Sequence, residues 1–413
     1  MNTSQRLKVE QPSTLSIMSE CLSVIKEAKA LLDDSNPEGA LDFISSHAEE
    51  HRENPAFLEA FGEILLENNL LEEAYDILRA ACDIDPEAAI GTEKFFYLGQ
   101  IVGGADGIKL LDIGLRKLSQ QLQDVQNDKG QDDATLVELA KTYPSKEDLV
   151  RVLIKKINKG VFAEIEIWMT DLCMEPDAEE KCDSLVKYAL SLDEKNPEAL
   201  SILSSVRISQ QKFDEAKQAL ADSWEQFQLK KAKLQEAANA SEPAATKQTE
   251  LDETSLEYVD LVQPLLALAR YAIELEVYET AIDISAAVQD INDFILESFY
   301  YQALSSILLA KRQVRNTNNI AIEDYRDLEM DTLINSSDPQ IKTYLEEAKS
   351  ALTQGYKIIN SDSIDADAEL IDQVLSTLKS LGGPNKEDLM PFKKDDLDEE
   401  GWEDEITYDD EEQ

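Results

Sequence analysis

The stretch Asn54–Ala88 reads NPAFLEAFGEILLENNLLEEAYDILRAACDIDPEA. Leu58, Phe61 and Leu65 recur at three- and four-residue spacing and share one face of a helix. Ala74, Leu78 and Ala81 do the same on a second helix. Asn68-Asn69 interrupts the first helix, and Pro86 cannot continue the second. Gly62 and Ala74 are small where two helix backbones must approach closely. Such a hairpin leaves an apolar face that it cannot bury alone, so it needs stacked neighbours.

This order of positions is that of a tetratricopeptide unit, with Leu58 in place of the leading aromatic. Copies are present on both sides. Val24, Leu31, Ala40, Ile44 and Pro55 mark a weaker first unit, and Phe95, Leu98-Gly99 and Val102 begin a third. Beyond it the spacing departs from the 34-residue period. Further helical segments are expected at 134–140, 146–159, 161–174 and 178–192, and at 197 to about 237. Others follow at 264–275, 278–291, 293–310, 321–333, 339–359 and 366–381. The expected fold is all-α, a right-handed superhelical solenoid of such hairpins over residues 17–381. Residues 1–16 and 382–413 are read as disordered ends, and 239–254 as a flexible insertion.

Charge is the dominant compositional fact. Among 413 residues, 85 Asp and Glu face 39 Lys and Arg, a net charge of −46. That sign opposes direct nucleic-acid binding and anionic membranes, and favours a basic partner. Asp395–Gln413 carries twelve acids among nineteen residues and no base. No apolar run is long enough to span a membrane, and MNTSQRLKVEQPS lacks the apolar core of a signal peptide. Cys21, Cys82, Cys173 and Cys182 are scattered through helical patterns, which suggests buried, reduced thiols in the cytosol or nucleus.

Motifs for catalysis are missing. Gly103–Gly107 lacks the Lys and Ser/Thr of a phosphate loop, and His47 and His51 have no third metal ligand in their pattern. The chain is therefore read as a non-enzyme with no cofactor and no metal. What the pattern offers is a surface. Glu59, Glu63 and Glu67 recur every four residues, opposite Leu58, Phe61 and Leu65. In tetratricopeptide proteins this side of the first helix lines the concave groove. Equivalent positions give Glu93 and Phe96; Glu164, Trp168 and Asp171; and Glu297 and Tyr300. Acids interleaved with aromatics suit a segment rich in Lys and Arg. Clamping of a chaperone's C-terminal carboxylate would need Lys, Asn and Arg at these positions, where Glu stands instead.

The segment AEIEIWMTDLCMEPDAEEKC (Ala163–Cys182), the repeat body and the tail EEGWEDEITYDDEE around Trp402 resemble the fungal dedicated assembly chaperones of large-subunit ribosomal protein four. The resemblance runs over nearly the whole chain from Thr14 and is most specific at Trp168–Cys182. Helical repeats alone would not single out this family. The resemblance implies a very basic client whose long internal loop and extension are disordered until threaded into ribosomal RNA. It implies capture of the new client, shielding of the basic loop in the groove, escort from cytoplasm to nucleus and release at the pre-ribosome. An importin and the pre-ribosome are then candidate transient partners, and the chaperone is expected to act as a monomer. Two rivals remain at this point. One is a generic acidic scaffold subunit with no preference for basic segments, the other a metalloenzyme built on the histidine pair.

Overall fold

The computed structural model describes residues 14–34, 36–240, 257–318, 324–361 and 366–389. Among these residues the chain is all-α, and its hairpins are tetratricopeptide-like. It divides into two compact units, Met1–Gln226 and Phe227–Gln413.

The first unit contains α1 (Thr14–Asp33), α2 (Pro37–Ser45), the single turn α3 (Ala48–His51), α4 (Pro55–Glu67), α5 (Leu71–Ile84), α6 (Glu93–Val102) and α7 (Gly104–Gln126). It continues with α8 (Ala134–Thr142), α9 (Lys146–Met169), α10 (Ala178–Leu192) and α11 (Pro197–Ser209), and α12 (Phe213–Ala240) passes into the second unit. The second unit holds α13 (Val262–Glu274), α14 (Tyr278–Gln289), α15 (Leu296–Asn318), a 3-10 turn at Tyr325–Asp327, α16 (Met330–Ile334), α17 (Pro339–Ile359), α18 (Ala368–Ser380) and α19 (Lys386–Leu389).

Helix starts follow a local rule. Asn36, Asn54, Asn196 and Asp338 each accept a backbone N–H with the side chain, and each is followed by Pro at the first helical position. Hairpin turns follow another. Asn69, Gln211 and Glu276 take positive φ, and the next residue donates its N–H back to the last helical turn (Leu70 to Leu65, Lys212 to Arg207, Val277 to Ala272). In the first unit α1, α4, α6, α9 and α11 touch in succession and form one row. Their partners α2, α5, α7 and α10 pack behind them. Helix α4 consequently buries two stripes. Phe57, Ala60 and Ile64 join Val24, Ala28, Ala40 and Ile44, whereas Leu65 joins Ala74, Leu78, Phe95 and Leu98.

Several expected boundaries move. The pattern predicts separate helices at 146–159 and 161–174, but α9 runs unbroken through Gly160 to Met169. That glycine is a contact rather than a stop: a Cβ there would lie 2.7 Å from Cζ of Phe96. Gly103, Gly104 and Gly107 predict a turn ahead of a helix at 108–122, but residues 104–107 already belong to α7, because Gly103 at φ 64° turns the chain within one residue. Cys173 is exposed, whereas Cys21, Cys82 and Cys182 are buried. The helix expected at 321–333 is replaced over its described part by the 3-10 turn and the five-residue α16. Helix α1 starts at Thr14, inside the segment read as disordered. The segment from 382 begins with order, since the Asn385 N–H donates to Thr353 Oγ1 (3.1 Å) and sets α19 on α17. The expected insertion overlaps the end of α12 at Ala240, and the rest of it lies outside the described residues up to 256. Residues 1–13 and the acidic segment Asp395–Gln413 lie outside them as well. No helix among the described residues is long and apolar enough to cross a membrane.

In the second unit α15 and α17 form the main pairing, around Ala303, Ile307, Ala310, Ala348 and Leu352. Tyr278 and Tyr325 share a buried hydroxyl–hydroxyl hydrogen bond of 2.6 Å, with Arg312 and Arg315 stacked over the two rings.

Gly62 faces Leu78 so closely that a Cβ would fall 2.4 Å from Leu78 Cδ2. Gly62→Leu should therefore cost about 1–3 kcal/mol by overpacking the α4–α5 hairpin. A urea midpoint equal to that of the parent would show that Leu78 can swing aside without loss.

Candidate functional site

Burying two stripes of α4 leaves Glu59, Glu63 and Glu67 on what remains of its surface. Like charges four apart cost a few tenths of a kcal/mol per pair in an isolated helix. The fold relieves much of that with its own lysines. Lys29 of α1 pairs with Glu63 at 2.7 Å. Lys94 of α6 reaches Glu59 at 3.8 Å, and its backbone N–H donates to Glu59 Oε2 (3.1 Å). Lys156 of α9 pairs with Glu93. The Tyr97 hydroxyl donates to Glu63 Oε1 (3.3 Å), while Lys159 lies over the Tyr97 ring at 4.9 Å. Glu67 is exposed and has no ion pair among the described residues.

Lys94 is the centre of this network. Its side chain has 0% exposure. The ammonium donates to the carbonyls of Ile90 (2.5 Å) and Gly91 (2.7 Å) and pairs with Asp85 at 3.0 Å. Asp85 also accepts the N–H groups of Ala89 (2.9 Å) and Ile90 (2.8 Å), which closes the loop between α5 and α6. Burial would raise the Asp85 carboxyl, but those donors and Lys94 hold it below its ordinary value. Glu59, 18% exposed, goes the other way. Burial first, and then repulsion from Glu93, push it up to about 7 against the pull of Lys94. For Glu93 burial acts upward too, yet the contact with Lys156 and a bond from the Thr92 N–H bring it down to about 2.

The remaining expected site residues divide. Phe96 is 1% exposed and packs in the core with Leu111, Leu153 and Ile157, against Gly114 and Gly160. Its placement in the groove is thereby corrected: α6 is short and sandwiched, and the residue after Phe95 faces α7 and α9. Glu164 is buried at 8% exposure. Trp168 is half-buried against the same core, with Lys181 5.9 Å from its ring. Asp171 is exposed and accepts the Gly104 N–H (2.8 Å), capping α7. Glu297 and Tyr300 belong to the second unit, where Tyr300 packs on the α15–α17 core. His51 is buried with its ring 5.1 Å from that of Phe57 and tilted to it by 47°, while His47 Nδ1 lies 3.0 Å from the Phe43 carbonyl oxygen. Among the described residues no three His, Cys, Asp or Glu side chains gather as a metal set.

The lysines were missed by reading each helix face alone. They carry a signal nonetheless. Lys29 and Glu63 are 34 residues apart, Glu63 and Tyr97 likewise, and Glu59 and Lys94 are 35 apart. One repeat length brings equivalent positions of neighbouring first helices together.

Residues 294–401 match the family model described as the ACL4 C-terminal domain. A Schizosaccharomyces pombe protein named "Probable assembly chaperone of rpl4" is 30% identical over 293 residues, which cover 68% of this chain and 74% of that protein. An Emericella nidulans protein of the same name is 27% identical over 214 residues, 49% of this chain and 48% of that one. A solved structure of an assembly chaperone of RpL4 (Acl4) superposes with a TM-score of 0.52 at 22% identity, covering 72% of this chain and 99% of the other. That likeness is one of fold.

Lys94→Met would leave Asp85 and Glu59 without their cation and the Ile90 and Gly91 carbonyls without its ammonium, and should cost about 3–5 kcal/mol. A loss below about 1 kcal/mol in urea unfolding would mean that water replaces the ammonium. The pH dependence of Glu59 also has a definite sign. Its carboxyl has an unfolded value of 4.5 and a folded value of about 7, so the bound proton stabilises the fold below about 4.5. That contribution is lost as pH rises through about 7. Glu59→Gln should therefore gain on the parent between about pH 4.5 and about pH 7 and hold that gain above it. A stability difference that stays constant over this window would place the titration elsewhere.

Proposed function

The chain belongs to the family of the assembly chaperones of rpl4, and on that premise we propose that it is a dedicated, non-enzymatic chaperone of this basic ribosomal protein. The extended match to a relative bearing that name carries the reading. The net charge of −46 supports it independently, since an acidic chain of this size attracts and screens a cationic client. The client's basic internal loop lies along the row α1, α4, α6 and α9, where it meets Glu63, Glu67 and Glu93.

Binding is an exchange of partners. Lys29, 48% exposed, and Lys156, 30% exposed, hold Glu63 and Glu93 in the free protein. Client cations compete for the same carboxylates, so the fold keeps its acids apart from one another until a client arrives. A partly exposed pair such as Lys29–Glu63 is worth about 0–1 kcal/mol and is readily given up, whereas the more sheltered Lys156–Glu93 pair yields less easily. Glu59 is excluded from this exchange, because Lys94 and the loop it closes depend on it. The chaperone works as a monomer and carries its client from cytoplasm to nucleus, with an importin joining on the way. Release at the pre-ribosome follows from the denser negative charge of ribosomal RNA.

Co-expression with rpl4, full-length and lacking its internal loop, followed by pull-down across a salt series, tests this reading. Capture of the full-length protein alone, weakening with salt, is expected. Capture of both forms would move the site off the loop, and capture of neither would reject the client. Glu63→Gln combined with Glu67→Gln should lower affinity for rpl4 roughly tenfold at low salt with an unchanged melt. Parent-like affinity of that double variant would remove the α4 ridge from the site.

A further inference from the structure

Helix α9 carries a stretch of charge opposite in sign to the chain as a whole. Between Leu149 and Ala163 it holds four cations, Arg151, Lys155, Lys156 and Lys159, and no acid, in a protein of net charge −46. Arg151, Lys155 and Lys159 are exposed and follow one another at four-residue spacing, so they form one ridge along the helix. Like charges at that spacing oppose one another. Arg151 finds Asp148 one turn away at 3.1 Å, but with exposures of 77% and 41% that pair holds neither partner firmly.

The ridge lies on the acidic side of the row of first helices. Lys156 reaches Glu93 of α6. The Lys159 ammonium donates to the Tyr97 hydroxyl (3.4 Å) and stands 4.9 Å from the centre of its ring. That hydroxyl in turn donates to Glu63 of α4 (3.3 Å). Lys159, Tyr97 and Glu63 thus cross α9, α6 and α4 on one side. Glu63 and Glu67 stand at one end of this crossing and Lys159 and Lys155 at the other, with only the short α6 between them. A cation laid across the row is drawn to α4 and repelled at α9, and a carboxylate has the opposite preference.

We propose that the α9 ridge receives acidic side chains of the bound segment, so that the row selects a segment of mixed charge over a uniformly basic one. This rests on reading the row as the client site, and it adds the chemistry of the segment that lies there. Contacting helix axes are about 8–10 Å apart. The two steps from α4 to α9 therefore span up to roughly 20 Å, which an extended chain covers in about six residues. The acidic run should stand about that far from the basic one.

Two fluorescent peptides test the ridge by anisotropy at low salt with the full chain. Both carry a run of arginines and a Gly-Ser spacer of about six residues. One then has a short run of glutamates, the other the same number of glutamines. Net charge alone makes the glutamate peptide the weaker ligand. The ridge makes it the tighter one, by roughly tenfold. Arg151→Gln, Lys155→Gln and Lys159→Gln combined should reverse the order, and the glutamine peptide should bind this variant more tightly than it binds the parent. A gain of affinity with unchanged helical circular dichroism separates lost repulsion from lost structure. Equal or weaker binding of the glutamate peptide by the parent would overturn the proposal, and so would a preference that survives in the triple variant. A preference that appears only once Asp395–Gln413 is removed would make that acidic segment the occupant instead, and would overturn it too. If the parent prefers the glutamate peptide but captures no rpl4, the ridge stands and the client assignment falls. Capture of rpl4 without that preference would leave the client and remove the ridge.

Discussion

A lysine with no exposed surface holds the first unit together where two repeats meet. Lys94 neutralises Asp85 and Glu59 and fastens the carbonyls of Ile90 and Gly91. Desolvating an ammonium is costly, and only this complete set of acceptors makes the burial tolerable. The loop between α5 and α6 is thereby fixed, and with it the angle at which α6 meets α4. The row of first helices depends on that angle, because Glu63, Tyr97, Lys159, Glu93 and Lys156 come together only when α6 sits between α4 and α9.

The fold was largely legible in the sequence, for physical reasons. Apolar positions at three- and four-residue spacing, Asn-Pro or Asp-Pro at helix starts, and paired polar residues at turns each express a local rule that tertiary structure left intact. Legibility failed where one residue had two interpretations. Gly160 could break a helix or admit a neighbour, and Phe96 decided for the second by packing against it. Phe96 could face a groove or a core, and its place on a short helix between two longer ones put it in the core. Helix α4 was read with one buried face, but a first helix in a stack has a neighbour on either side, so Phe57, Ala60 and Ile64 are buried too.

The acidic ridge was legible as a pattern of charge but not as a set of interactions. Glu59, Glu63 and Glu93 lie on the expected helices, yet each is already engaged by a lysine from another repeat. Helical spacing cannot reveal such partners, because they come from a different helix. The acidic surface is thus less uniform than its composition suggests. Glu59 belongs to the scaffold, Glu63 and Glu93 are held in pairs with lysines, Glu67 is exposed, and Glu164 is buried. Family membership and net charge point towards a basic client, and this gradation indicates where along the row its side chains would gain most.

The pairs that are one repeat length apart limit how this chain can change. Lys29 serves Glu63, and Lys94 serves Glu59, so each hairpin carries half of an interaction completed by the next. Duplicating, deleting or reordering a hairpin would set acid against acid even if every apolar contact were preserved. Solenoids are often treated as strings of interchangeable modules. Here the modules are addressed to one another by charge, and the order of the first three hairpins is written into the chain as firmly as their shape.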